Sequence, residues 1–316
     1  MNPSKHSLSL LITDFLEYLE IERNASQKTI QNYDHYLKRF LEFSGDISPT
    51  AIDQAMIRKY RLYLGRWVDP LTQKPLKRVT QNYFMIALRA FLRYLARQDI
   101  ATLSPEKIEL GETDAAPLKV LDNKSLELLL KAPNTSKKDG LRDKAILEML
   151  FSTGLRVSEL AKLNRDTINL ERKEFSIVGK GSKERIVFLS EDAAEWVTQY
   201  LKNRRDDFRP LFIRYQGEID PTDHGEAMRL TVRTIQRIVE KYVKKLGLSV
   251  KATPHTLRHG FATDLLINGA DIRSVQEMLG HSNISTTQIY THVTNKHLQD
   301  VHKAFHSGNT GNKGED

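Results

Sequence analysis

TPHTLRHGFATDLLINGADIRSVQEMLGHSNISTTQIYTHV, residues 253–293, decides how the rest of the chain is read. Thr253 is a good N-cap and Pro254 suits a first helical position, so a helix starts here with His255 and Arg258 on its first turns. Leu257, Phe261 and Leu265 recur at helical spacing and predict its buried stripe. Asp271 caps a second helix, with Ile272, Val275, Met278 and Leu279 apolar, and Gly280 suits its left-handed end. The chain then presents His281, crosses a polar segment from Ser282 to Thr287, and reaches Tyr290. Arginine grips phosphate in bidentate fashion, histidine moves protons near neutral pH, and tyrosine can act as a covalent nucleophile. Together they suggest chemistry on an anion. Any one of these residues alone is more often a cap, a surface group or a core edge. The set gains its meaning from what stands upstream.

The chain has 316 residues, room for two domains with real cores, and a formal net charge of +8 that suits a polyanionic partner. It has no cysteine, which excludes disulfides, thiolate zinc sites and cysteine nucleophiles. The first twenty residues read as an amphipathic helix, with Asp14 and Glu17 interrupting the apolar run, and not as a signal peptide. No apolar stretch is long enough to span a bilayer. A soluble cytoplasmic protein without membrane contact is expected.

Four helices are predicted in the first hundred residues: 7–22, Ser26 to Phe43, 50–65, and about Val79 to Arg97. The third carries Ile52, Met56, Ile57, Tyr60 and Tyr63, and the fourth places Tyr83, Ile86, Leu88, Phe91, Leu92 and Leu95 on its apolar side. Lys28, Lys77, Arg78, Arg89 and Arg93 decorate this unit and are candidates for DNA phosphate contact. Pro105, Gly111 and Pro117 mark a linker, giving domains at 1–103 and 119–306 with 104–118 between them. The second domain opens with helices from about Asp122 to Lys131 and from Leu141 to Ser152. Gly154 ends the latter, and GLRVSELAKL starts another helix at Arg156. Residues 174–189 alternate β-branched residues around Gly-Lys-Gly and read as a hairpin with Lys180 at its tip. Helices at 191–205 and 229–246 follow. Leu298, Val301 and Phe305 suggest a last helix, 295–305, able to dock on its own domain or on a neighbouring subunit, before a disordered tail at 307–316.

GLRVSEL, GKGSKER, HTLRH, LGH and TTQIYTHV, in that order, resemble the tyrosine recombinases of the phage integrase family, especially the Xer type. Each motif is weak alone; five in order at plausible spacing are specific. The resemblance implies a mainly α fold with a small β-sheet: an N-terminal helical core-binding (SAM-like) domain and a C-terminal mixed α/β catalytic domain, clamped around duplex DNA. It implies Arg156, Lys180, His255, Arg258, His281 and Tyr290 as the active site, with Glu159 as a supporting acid. Gly260 and Asp264 depart from the usual Xer Ser and His. The expected activity is site-specific recombination through a 3′-phosphotyrosyl intermediate and a Holliday junction, resolving chromosome or plasmid dimers. The expected assembly is a homo- or hetero-tetramer on two sites, with a DNA translocase as a further partner. A mobile-element or integron integrase, a type IB topoisomerase and a non-catalytic DNA-binding protein are the alternatives.

No cofactor is expected. His255 and His259 match a metal-ligand spacing, but no HExxH glutamate or cysteine accompanies them and Arg258 repels a cation, so no metal is expected. Two arginines and a lysine would supply the positive charge that divalent ions supply elsewhere.

Overall fold

The computed structural model describes residues 7–70, 72–112, 121–179, 184–218, 220 and 222–280. The expectations for Lys180, His281, Tyr290, the 295–305 helix, the 307–316 tail and the hairpin turn fall outside them. The chain divides into two compact units, Met1–Ala116 and Pro117–Asp316.

The first unit is helical. Helix α1 (Leu8–Ile21) starts at Ser7, whose hydroxyl accepts from the Leu10 amide, and α2 (Gln27–Ser44) starts at Ser26 in the same way. The third helix begins later than residue 50. Pro49–Ala51 forms a separate 3-10 turn, and Asp53 caps α3 (Gln54–Arg66), accepting from the Met56 amide at 2.7 Å. Ile52 therefore enters the core from a connecting segment. Helix α4 (Arg78–Arg97) buries Phe84, Met85, Leu88, Phe91, Leu92 and Leu95. The expected core positions Tyr83 and Ile86 instead face water, at 49% and 38% exposure. Successive helical residues turn by about 100°, so the stripe through Phe84, Leu88, Phe91 and Leu95 leaves 83 and 86 on the far side. Aromatic edge-to-face contacts fill the centre: Phe15 meets Phe91 at 5.6 Å and Phe40 meets Tyr60 at 4.9 Å between centroids.

In the second unit, α5 (Asn123–Lys131) is capped by Asp122 and packs on α6 (Lys138–Thr153). Helix α6 is the centre of this unit: from Gly140 to Leu150 every residue is buried, charged ones included. Asp143 is fully buried and accepts from Arg142 Nη2 at 2.7 Å, Tyr242 Oη at 2.9 Å and Lys241 Nζ at 3.0 Å. Lys144 donates to Glu148 at 2.6 Å and to the Leu130 carbonyl at 2.9 Å. These pairs let charged residues enter the interior without orphaned charge. Helices α8 (Glu191–Asn203), α9 (Val232–Lys245) and α10 (Pro254–Ile267) pack on α6, while α7 (Val157–Lys162) packs on α9 and α11 (Ile272–Leu279) on α10.

Strands β1 (Glu174–Val178) and β2 (Glu184–Phe188) pair antiparallel, with Phe175 opposite Val187 and Ile177 opposite Arg185. Phe175, Ile177 and Val187 are buried on the inner face, while Val178, Ile186 and Phe188 on the outer face are exposed. β2 packs on α6 and α11.

Candidate active site

The site is assembled where α6 ends, where α10 begins and where α11 stops. Gly154 takes the left-handed conformation, φ +57°, and turns the chain at the end of α6. A Cβ there would lie 2.4 Å from Phe261 Cδ1, so α10 presses directly on this turn. The turn delivers Arg156 to the N-cap of α7. Arginine has no acceptor with which to cap a helix. Glu159 compensates: its Oε2 accepts the Arg156 amide at 2.8 Å and its Oε1 accepts Arg156 Nη1 at 2.9 Å. Arg156 Nη2 donates to the Gly280 carbonyl at 3.2 Å.

Helix α10 starts as its sequence predicts. Thr253 accepts from the Thr256 amide, Thr256 Oγ1 accepts from the Thr253 amide at 3.1 Å, and Pro254 is the first residue. The expected stripe of Leu257, Phe261 and Leu265 is corrected. Leu257 is buried, but the buried apolar positions further along the helix are Ala262 and Leu266, and Phe261 and Leu265 are only partly covered. Arg258 is also turned inward, 5% exposed. Its Nη1 donates to the Gly154 carbonyl and its Nη2 to the Leu279 carbonyl at 2.7 Å. One buried guanidinium thus joins the turn before Arg156 to the end of α11, beside the carbonyl that Arg156 holds. The structure brings Arg156 and Arg258 together in this way.

His255 stands on the solvent side of the first turn of α10. Burial of the ring and then the Arg258 and Arg156 charges hold its pKa below the ordinary 6.5. His259 is lowered by burial, His255 and Arg258. Both imidazoles therefore stay neutral and can accept protons. Glu159 is pulled the other way. Burial alone would raise it, but hydrogen bonds from Arg185 and Arg156 hold its carboxyl below the usual range. Arg185 Nη1 and Nη2 lie 3.2 and 2.8 Å from the two Glu159 oxygens. Among the described residues, one carboxylate stands with three guanidiniums here.

Of the basic residues predicted in the first unit, Lys28 lies in the first turn of α2, and Lys77 and Arg78 lie at the start of α4; all three are exposed. Arg89 is partly buried on α4, and Arg93 stands 3.6 Å from Glu106. Two features escaped the sequence reading. Helix α9 exposes Arg233, Arg237, Lys241, Lys244 and Lys245, a cationic side hidden when only its apolar period was read. Arg185 stands in an apolar slot of the hairpin. The alternation of β1 and β2 was the available signal for it.

Comparison with known proteins gives the family. The phage integrase family model matches residues 119–297, and the model of the phage integrase N-terminal SAM-like domain matches 12–99. Tyrosine recombinase XerD of Lacticaseibacillus casei is 38% identical over 301 residues, covering 94% of this chain and 98% of the relative. XerD of Listeria innocua is 40% identical over 298 residues, with the same coverage. The crystal structure of the XerH site-specific recombinase bound to its palindromic difH substrate, a post-cleavage complex, aligns with TM-score 0.67 at 26% identity over 89% of this chain and 81% of that one. The helical N-terminal unit, the mixed catalytic unit and these matches together place the chain in the phage integrase family, as a Xer-type tyrosine recombinase that cuts and rejoins DNA by site-specific recombination.

Proposed function

We propose that Arg156 and Arg258 clamp the non-bridging oxygens of a DNA phosphodiester while Tyr290 attacks its phosphorus. The observation that carries this reading is the convergence of both guanidiniums on the adjacent Leu279 and Gly280 carbonyls at the end of α11, with neutral His255 in their field. Fixed positive charge aimed where negative charge develops lowers the barrier to a pentacoordinate phosphorus, and His281 adds a hydrogen bond to the same oxygens. The Tyr290 oxygen bonds to phosphorus as its proton passes to His255, and the bond from phosphorus to the 5′-oxygen breaks as Lys180 protonates that oxygen. The products are a 3′-phosphotyrosyl enzyme and a free 5′-hydroxyl. The phosphodiester energy stays in the covalent link, so rejoining to a second strand needs no nucleotide. The double-stranded DNA partner is supported by the XerH and difH complex to which the fold is similar. Lys28, Lys77, Arg78, Arg89 and Arg93 are assigned backbone phosphates. Four protomers, alike or of two kinds, act on two sites through a Holliday junction, with the 295–305 helix docking between neighbours. Resolution of chromosome or plasmid dimers, under a DNA translocase and in the cytoplasm, is the biological role assigned. No helix among the described residues is long and apolar enough to cross a membrane.

A nicked suicide oligonucleotide tests the chemistry. Wild type accumulates a covalent adduct on denaturing gels and Tyr290→Phe forms none; an adduct in the variant, or none with wild type, sinks the mechanism.

A further inference from the structure

We infer that Arg185 is a positioning residue for the reaction, acting through Glu159 to aim Arg156 and tying the hairpin that carries Lys180 to that guanidinium. The inference rests on the phosphate-clamp reading of Arg156.

The first observation is the slot itself. Residues 175, 177, 185 and 187 share the inner face of the hairpin by strand register. Three of them, Phe175, Ile177 and Val187, are buried apolar side chains. The fourth is a guanidinium whose side chain is only 10% exposed. A buried ion pair is a poor route to stability, because an apolar residue of similar volume commonly does as well or better. An arginine in a position patterned for an aliphatic side chain therefore calls for a role other than holding the sheet down.

The second observation is where the guanidinium goes. It meets both oxygens of Glu159, the carboxylate that also accepts the Arg156 amide and Nη1. Oε1 is shared between Nη1 of Arg185 at 3.2 Å and Nη1 of Arg156 at 2.9 Å. Arg185 thus fixes the rotamer of Glu159 and competes for its charge. Without it, the carboxylate is free to turn fully onto Arg156 and neutralise the cation that the phosphate requires.

The third observation is Gly280. A Cβ at this residue, φ +63°, would come within 2.7 Å of Arg185 Nη1, so the bend after α11 is shaped to admit the Arg185 side chain. The carbonyl of the same residue accepts from Arg156 Nη2. Arg185 therefore abuts both anchors of Arg156, the carboxylate and the bend. It also sits on β2, the strand that follows Lys180 in the chain. Seating of the hairpin and aiming of Arg156 become one event.

The test measures adduct formation on a nicked suicide oligonucleotide at saturating protein, together with DNA affinity by gel shift and the thermal unfolding midpoint. The variants are Arg185→Met, Arg185→Lys, Glu159→Gln and the Arg185→Met/Glu159→Gln pair. Misaiming a reacting group by about 1 Å slows chemistry about 100-fold. Arg185→Met is expected to slow adduct formation about 10- to 100-fold, with affinity and midpoint retained. Arg185→Lys, a point charge that keeps the ion pair but not the fork, is expected to recover part of the rate. The double variant is expected to be no slower than its slower parent, because Arg185 acts through Glu159. Wild-type rate in Arg185→Met, losses that multiply in the double variant, or a rate loss matched by an equal loss of affinity overturns the inference. If the Met variant does not fold, Arg185→Lys decides: a slowed rate at unchanged affinity supports the role, and the wild-type rate overturns it. Absence of adduct with wild type would refute the clamp reading itself. An active wild type with an equally active Arg185→Met refutes the positioning role alone.

Discussion

His255 works in the field of two guanidiniums, and its titration reports that field. The cause of its lowered pKa is burial first, then Arg258 and Arg156, with His259 the neighbouring imidazole. A lowered value means that protonation is disfavoured in the folded protein, so the neutral form persists as pH falls through the ordinary 6.5. If His255 accepts the Tyr290 proton, the acid limb of the cleavage rate lies below pH 6.5. A single-turnover pH profile checks this, and a limb at or above that value would remove His255 from the role. Metal independence belongs to the same scale. If, as proposed, Arg156, Arg258 and Lys180 carry the charge that divalent ions carry in many nucleases, adduct formation persists in excess chelator. Loss of adduct on chelation, restored by added magnesium, would contradict it.

Elements explain why those side chains hold their places. The turn at Gly154 is wedged under α10, and its carbonyl is taken by Arg258. Gly154→Ala meets both a strained φ and a clash with the Phe261 ring, and is expected to destabilise the protein by about 1–3 kcal/mol. Urea unfolding measures this; an unchanged midpoint would mean the wedge is not rigid. Helix caps were legible in the sequence because they are short-range. Thr253 and Asp271 cap the helices expected of them, and Ser26 and Asp122 cap helices expected to begin at about those residues. The start of α3 was not, because Pro49 nucleates its own short turn before Asp53 caps the helix. Nor was the phase of α4, where Tyr83 and Phe84 offer adjacent aromatic residues and only packing chooses between them.

For the whole molecule, the two units carry different parts of the task. The first offers basic residues on helices α2 and α4, and the second holds the arginine cluster. Truncation after Val293 is expected to leave binding to a single site within about twofold while weakening the two-site complex by 10-fold or more, roughly the energy of one lost interfacial anchor. Gel shift and mass photometry on one-site and two-site DNA separate these, and parallel loss of both would refute the docking role.

The sequence by itself determined the helical character, several helix caps and the paired strands. These depend on spacings of a few residues, where backbone preference and side-chain reach are local. Only the tertiary structure decided that Arg258 is buried between two carbonyls, that Arg156 is shared by Glu159 and Gly280, and that Asp143 anchors α6 to α9. The partners of Arg258 and Arg156 lie as far as 104 and 124 residues away along the chain. A buried charge looks like a surface charge in a sequence, because what distinguishes it is the partner that pays its desolvation, and folding alone supplies that partner.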